Sequence, residues 1–317
     1  MRALVTGAAG FIGSHLSTAL LERGVDVVAV DCFTDYYPRP LKEQNLAPLR
    51  ACRGFQFFEA ALQTVDLPVL LDGVTHVFHL AAQAGVRKSW GRDFATYTSH
   101  NIEATQRLLE AVKGRRLERF VYASSSSVYG DGVAIPMRED AMVQPVSPYG
   151  VTKLAAEHLC TLYHANYGVP AVSLRYFTVY GPGQRPDMGF HRFLRAAHLD
   201  EPITVYGDGE QTRDFTFVAD TVAATMAAGD RGRPGGVYNI GGGSRVSVNH
   251  VLRLIERITG RPVRVQREPN QKGDMRDTFA DTTRARTELA FAPSRSLETG
   301  LAAESRWIAR MLAVPQA

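Results

Sequence analysis

Short runs of apolar and β-branched residues alternate with longer stretches of helical periodicity through the first half of the chain. The segments 3–6, 25–30, 56–59, 76–80, 119–124 and 171–176 read as strands. Between them, residues 11–23, 101–112 and 149–167 repeat their apolar positions at the spacing of one helix face. Apolar strands separated by amphipathic helices predict an α/β fold, in which a parallel sheet is covered by helices on both faces. The second half is less regular. Pro and Gly cluster at 181–189, 207–209 and 241–243. A helix is predicted over 248–259 with Ser247 as its N-cap, and a last one over 297–311. No repeat or low-complexity linker separates the halves, so two lobes sharing one continuous interface are expected.

Composition narrows the partners. With 45% hydrophobic and 21% charged residues in 317, the chain is an ordinary globular protein with enough length for a full core. The net charge of +4 comes from 36 basic and 32 acidic residues scattered along the sequence, which argues against a nucleic-acid surface. Cys32, Cys52 and Cys160 lack metal-ligand spacing, so reduced thiols and no metal site are expected. Residues 1–16 are apolar but carry three spaced glycines and no cleavage site, unlike a signal peptide. No stretch reaches the apolar length of a membrane span. A cytoplasmic protein without membrane partners is expected.

Chemistry enters at the first strand-to-helix turn. Gly7, Gly10 and Gly13 follow the strand 3–6 and open the helix 11–23. Glycines there let the backbone turn tightly and bring a pyrophosphate onto a helix N-terminus. Such a loop alone is a weak signal. Here the second strand ends in Asp31, a carboxylate suited to the adenosine ribose. Its charge repels a 2′-phosphate, so NAD is favoured over NADP. Strand, loop, helix and acid together predict a Rossmann-type doubly wound sheet.

Tyr149 and Lys153 are four residues apart at the start of a helix with Ser147 as N-cap and Pro148 at its first position. That spacing puts phenol and ammonium on one face. A cation beside a phenol, together with an oxidised nicotinamide, is expected to lower the Tyr149 pKa and make it a general base. The strand 119–123 delivers Ser124, Ser125, Ser126 and Ser127 at its carboxyl end, where open α/β sheets bind ligands. A Tyr-x-x-x-Lys is common by chance, and a serine run is more often plain loop. Their joint occurrence after a nucleotide loop is the informative feature. No Gly-x-Ser-x-Gly elbow follows a strand, which disfavours a Ser/His/Asp hydrolase.

The Gly-x-x-Gly-x-x-Gly spacing, the serine run before Val128-Tyr129-Gly130 and the Tyr149/Lys153 pair resemble the extended short-chain dehydrogenase/reductases, within the NAD-dependent epimerase/dehydratase family. Segments 79–87, 175–182, 207–214 and 273–277 extend the likeness over nearly the whole chain. The resemblance implies an NAD-binding domain over 1–175, with part of 214–241 returning to it. It implies a smaller α/β substrate-binding domain over 176–317. Gly7, Gly10, Phe11, Ile12, Gly13, Asp31, Leu62, Leu80, Ala81, Ala82, Tyr149, Lys153 and Tyr176 are the implied cofactor contacts. Tyr149, Lys153 and Ser125 are the implied catalytic residues. Arg87, Ser125, Ser126, Ser127, Tyr149, Thr178, Arg185, Tyr206, Arg213 and Arg276 are the implied substrate contacts, with Arg213 and Arg276 on the pyrophosphate. A homodimer packed through helices near 101–112 and 149–167 is also implied.

The loop 183–192 looks like that of the UDP-glucuronate 4-epimerases, and Thr178 replaces the Asn typical of UDP-galactose 4-epimerases. The implied reaction is C4 epimerisation of UDP-glucuronate to UDP-galacturonate through a 4-keto intermediate. An Arg on a Pro/Gly loop, with a hydroxyl opposite, suits a C6 carboxylate, and Arg185 with Thr178 takes that role. The alternatives are neutral-hexose epimerisation with Arg185 structural, a dehydratase or decarboxylase, and a non-catalytic NAD-binding protein. Dehydration is poorly served, because Ser126 and Ser127 stand where those enzymes carry an acid. Two departures from the family pattern lie at the adenosine end. Cys32 replaces a common Asn, and Glu59-Ala60-Ala61-Leu62 replaces an Asp-Ile or Asp-Leu pair.

Overall fold

The central sheet of the computed structural model, which describes residues 1–313, has seven parallel strands. Their order is Val237–Ile240, Ala171–Tyr176, Arg119–Ser125, His76–His79, Arg2–Thr6, Asp26–Asp31 and Phe55–Glu59. From Arg2–Thr6 the chain first builds outward through Asp26–Asp31 and Phe55–Glu59. It then crosses to His76–His79 and builds the other way. The reversal opens a crevice at the carboxyl ends of Arg2–Thr6 and His76–His79, the usual ligand position in such sheets. This is the Rossmann-type doubly wound α/β fold that the strand and helix pattern predicts.

Period-two alternation explains why both faces are dry. Ala3, Val5, Val27, Ala29 and Phe78 pack on one face with Leu16, Leu20, Val222 and Ala228. Leu4, Val28, Val30, Val77 and Phe120 pack on the other with Leu108, Leu109, Ala156 and Cys160. The first layer is formed by helices Phe11–Glu22 and Val218–Arg231, and the second by Ala104–Val112 and Pro148–Tyr167.

The six expected strands form with ends shifted by at most one residue. The seventh, Val237–Ile240, was not anticipated. Asn239 interrupts its apolar pattern because the side chain is a buried linker: Nδ2 donates to Met137 O at 2.9 Å and to Asp281 O at 3.1 Å. The helix expected over 101–112 starts earlier, with a turn at Phe94–Tyr97 and a π-helical stretch at Thr98–Glu103.

The second half carries two small sheets. Thr212–Phe217 pairs in parallel with Thr178–Tyr180 and antiparallel with Arg245–Ser247. Ile203–Tyr206 pairs in parallel with Val265–Glu268. Helices Gly189–Leu199, Val248–Thr259 and Leu297–Ala313 meet over a core of Tyr180, Phe190, Leu194, Val251, Ile255, Leu301 and Ile308. Ser247 caps its helix as expected, accepting from His250 N at 3.2 Å. Positions 314–317 of the expected substrate-binding division lie outside the described residues. Among the described residues, no helix is long and apolar enough to cross a membrane.

Candidate active site

The glycine loop is held by contacts that only glycine allows. Gly7 has φ +72° and donates its N–H to Val30 O at 2.9 Å. A Cβ on Gly7 would lie 2.8 Å from Ala81 N, and one on Gly13 would lie 2.1 Å from Gly7 O. Close packing of loop, helix and neighbouring strand therefore depends on these positions. The helix Phe11–Glu22 begins with no side-chain cap and no acid in its first turn. Its free amides and dipole suit an anionic group such as a pyrophosphate.

A cavity runs from this loop to the Tyr149 helix. It is lined by Gly7, Gly10, Phe11, Ile12, Gly13, Asp31, Leu62, Leu80, Ala81, Ala82, Tyr149, Lys153 and Tyr176, which brings all the predicted cofactor contacts around one space. The arrangement fits a dinucleotide: an uncapped helix end in the middle, a carboxylate at one end and a phenol and an amine at the other. Asp31 Oδ2 accepts from Ala9 N at 3.1 Å and Oδ1 from Phe33 N at 2.9 Å. Burial pushes its pKa above the ordinary value, against these bonds and the nearby Lys42. Cys32 and Ala60 line the same end.

At the other end, Ser147 caps the helix by accepting from Gly150 N at 3.1 Å, with Pro148 in its first turn. The Tyr149 ring meets the buried Tyr97 edge-on, with centroids 6.2 Å apart. Burial raises the Tyr149 pKa, while Arg185 and the Ser125 hydroxyl pull it down. In the protein alone, the phenol is therefore not acidified by Lys153. Removal from water dominates, and the cation acting on the phenol is Arg185. Lys153 is buried, with Nζ 4.5 Å from the Tyr122 ring centroid. Burial lowers its pKa to about 7 against the opposing pull of Cys160 and Glu157. Ser125 Oγ accepts from Ser127 N at 3.1 Å. Ser124, the first of the run, donates to Glu157 Oε2 at 2.6 Å, and Glu157 meets Arg175 at 2.7 Å. Ser124 thus borders the cofactor cavity while tied to Glu157, and Ser125 turns to the phenol.

Sequence reasoning missed the brace behind this end. Asn101 Oδ1 accepts from Gln83 N at 2.7 Å, and its Nδ2 donates to Gln83 O at 3.0 Å and to Thr152 Oγ1 at 2.9 Å. Thr152 donates to Tyr149 O at 2.8 Å. Asn101 therefore ties the loop after His76–His79 to the Tyr149 helix. Thr105 donates to Asn101 O at 2.6 Å, which leaves its oxygen to accept from His79 Nε2 at 2.9 Å. His79 Nδ1 then accepts from Thr6 at 2.8 Å, and Thr6 Oγ1 accepts from Leu80 N and Ala81 N. Burial lowers the His79 pKa to about 3, so the ring is neutral and one tautomer satisfies every group. The π-helical stretch that carries Asn101 leaves no periodic signal in the sequence.

A second cavity, of about 540 Å³, adjoins the first and is large enough for much of a nucleotide sugar. Arg87, Thr178, Tyr206 and Arg213 line it. Arg87 stacks 4.1 Å over the Tyr206 ring and pairs with Asp274 at 2.7 Å. Arg213 Nη1 donates to Thr212 O at 2.8 Å and Arg276 O at 2.9 Å, gripping the loop around 275–276. Arg276 lines neither cavity. Its exposed side chain pairs with Asp208 at 3.5 Å. Ser125, Ser126 and Ser127 line neither cavity. Arg185 lines the first cavity and Thr178 the adjoining second one. Arg185 is held by Asp187, which accepts from its Nε at 2.9 Å and from Nη2 at 3.0 Å. Tyr36, which lines both cavities, and Asp187 were passed over because neither stands in a regular element.

Comparison with known proteins agrees with this geometry. The model of the NAD dependent epimerase/dehydratase family matches residues 3–241. The crystal structure of UDP-glucuronic acid 4-epimerase from Bacillus cereus in complex with UDP-glucuronic acid and NAD is similar at a TM-score of 0.96. It is 45% identical, covering 98% of this chain and 100% of that one. The protein named "Uncharacterized UDP-glucose epimerase YtcB" of Bacillus subtilis (strain 168) is 45% identical over 315 residues, 98% of this chain and 99% of its own. The UDP-glucuronate 4-epimerase of Thermodesulfobacterium geofontis (strain OPF15) is 38% identical over 311 residues, 96% of this chain and 95% of its own. The chain belongs to the NAD-dependent epimerase/dehydratase family.

Proposed function

We propose that this protein is an NAD-dependent UDP-sugar 4-epimerase whose substrate is UDP-glucuronate and whose product is UDP-galacturonate. The observation that carries the reading is that Tyr149, Lys153 and Arg185 line the same cavity as the glycine loop and Asp31. The likeness to a UDP-glucuronic acid 4-epimerase along the whole chain supports it.

Bound NAD supplies a reversible hydride acceptor for C4 of the sugar. Asp31 receives the adenosine ribose, and the open end of helix Phe11–Glu22 receives the pyrophosphate. Tyr149 takes the proton of the 4-hydroxyl as C4 is oxidised to a ketone, and gives it back when C4 is reduced from the other face. Arg185 favours the phenolate, Lys153 faces the cofactor, and Ser125 holds the 4-oxygen and the phenol in line. Because the cofactor is restored in each cycle, the protein consumes no net oxidant.

Arg185 faces the C6 carboxylate, with Thr178, Ser126 and Ser127 on the sugar. The 4-keto uronate is a β-keto acid that loses CO₂ when its C5–C6 bond aligns with the carbonyl π system. A guanidinium on the carboxylate restrains that alignment. Arg87, Tyr206 and Arg213 of the second cavity, together with Arg276, serve the nucleotide diphosphate. The division of labour follows the chain, with residues 1–175 and part of 214–241 for NAD and 176–317 for the nucleotide sugar.

We further propose a cytoplasmic homodimer. Val151 and Leu162 stay exposed on the outer face of helix Pro148–Tyr167, eleven residues apart on one stripe, and favour a second copy of the helix pair as cover.

A second reading, epimerisation of a neutral hexose, is favoured by one observation: Arg185 already has an anionic partner in Asp187. The test is to incubate purified protein with UDP-glucuronate and no added NAD and to follow the sugar by NMR. Accumulation of the C4 epimer is expected. Turnover of UDP-glucose with none of UDP-glucuronate would favour the second reading.

A further inference from the structure

Arg185 is not a free cation at the cavity wall. Its Nε and Nη2 form a two-point ion pair with Asp187, at 2.9 and 3.0 Å. Asp187 is braced in turn, because Tyr36 donates its phenolic O–H to Oδ2 at 3.1 Å. Tyr36 belongs to the segment after strand Asp26–Asp31, far from Asp187 in sequence. Its oxygen fits against Gly85, where an added Cβ would lie 1.9 Å away. Burial raises the Tyr36 pKa, with Asp187 adding to the effect, so the phenol remains a donor at every pH of interest.

The bracket uses one edge of a planar guanidinium. Among the described residues, Arg185 Nη1 has no hydrogen-bond partner, and the residue lines the cavity that also holds Tyr149. An arginine side chain has several rotatable bonds, and a two-point contact with a fixed carboxylate removes most of that freedom. The remaining edge is thereby aimed.

We propose that Asp187, braced by Tyr36, is a positioning residue that aims the free edge of Arg185 at the substrate and so decides whether the 4-keto uronate is reduced or loses CO₂. This rests on the reading of Arg185 as the partner of the C6 carboxylate. In the losing branch the C5–C6 bond breaks and its electron pair enters the C4 carbonyl as an enolate. CO₂ departs and a proton adds at C5, leaving a 4-keto pentose, with no external oxidant required. With the bracket intact, the carboxylate is gripped at a fixed torsion and reduction wins. Without it, Arg185 still neutralises the carboxylate but no longer fixes it.

The experiment uses the NAD-loaded protein and UDP-glucuronate, and reads by NMR the ratio of C4 epimer to decarboxylated product, with bound NAD measured in parallel. Asp187→Asn is expected to raise the decarboxylated fraction roughly tenfold, about the effect of losing one charge-assisted contact, with NAD content unchanged. Tyr36→Phe is expected to move the ratio in the same direction by less, and Asp187→Glu to recover much of the wild-type ratio. A wild-type ratio in both Asp187→Asn and Tyr36→Phe overturns the proposal. If Asp187→Asn does not fold, Tyr36→Phe alone decides. Arg185→Ala separates the two levels. A shift there with none in the bracket variants rejects the bracket and keeps the carboxylate reading, whereas no shift there rejects both.

Discussion

The ammonium of Lys153 stands 4.5 Å from the centroid of the Tyr122 ring, closed off from water beneath the cavity. Burial brings its pKa to about 7, well below that of lysine in an unfolded chain. Between pH 7 and about 10 the unfolded state therefore binds more protons than the folded state, and stability rises with pH across that window. Below pH 7 the full cost of a buried charge is present. Urea unfolding of the wild type and Lys153→Met is expected to show the wild type gaining relative to the variant from pH 7 to 10. A difference that does not change with pH would contradict the assignment.

Gly13→Ala puts a methyl group 2.1 Å from Gly7 O, where the neighbour is backbone and has no rotamer to change. The helix Phe11–Glu22 must then move off the first strand. We expect a loss of stability of about 2 kcal/mol or more, and protein that purifies with little NAD. Absorbance of the purified variant and its thermal midpoint check both. A variant with wild-type NAD content refutes the role given to this close contact.

Glu157 and Arg175 form a buried ion pair at 2.7 Å, and Ser124 donates to the same carboxylate at 2.6 Å. Removing one partner leaves an uncompensated charge, which costs about 3–5 kcal/mol. Glu157→Gln should therefore unfold at markedly lower urea. Glu157 also raises the Lys153 pKa, so the variant should shift the Lys153 titration to lower pH.

Asn101 links the segment around Gln83 to Thr152 and through it to the Tyr149 backbone. In Asn101→Ala the phenol loses this bracing but keeps its chemistry. We expect kcat to fall about 10- to 100-fold with KM for the UDP-sugar nearly unchanged. An unaltered kcat would show that the network serves folding alone.

The sheet and the Tyr149 helix were legible in the sequence because their signals are local. Val27, Val28, Ala29 and Val30 are apolar on both faces, and Ser147 and Pro148 announce a helix start through cap chemistry. The cofactor cavity was legible for the same reason, since glycine spacing and a strand-terminal acid lie on adjacent elements. Asn239 hid a strand by serving as a buried linker. Asp187 and Tyr36 were invisible because their meaning is the bond between them, 151 positions apart. The motif marks Arg276 as an anion contact, whereas its pairing with Asp208 depends on loop geometry that the sequence does not carry.

The claim on which the account depends is that the Tyr149 phenol carries the proton while the cofactor stays in place. Tyr149→Phe, purified with its NAD and mixed with UDP-glucuronate, measures this most directly. The expected result is normal NAD content, a folded protein and epimer formation reduced by at least about 1000-fold. Epimer formation at the wild-type rate by that variant would contradict the account.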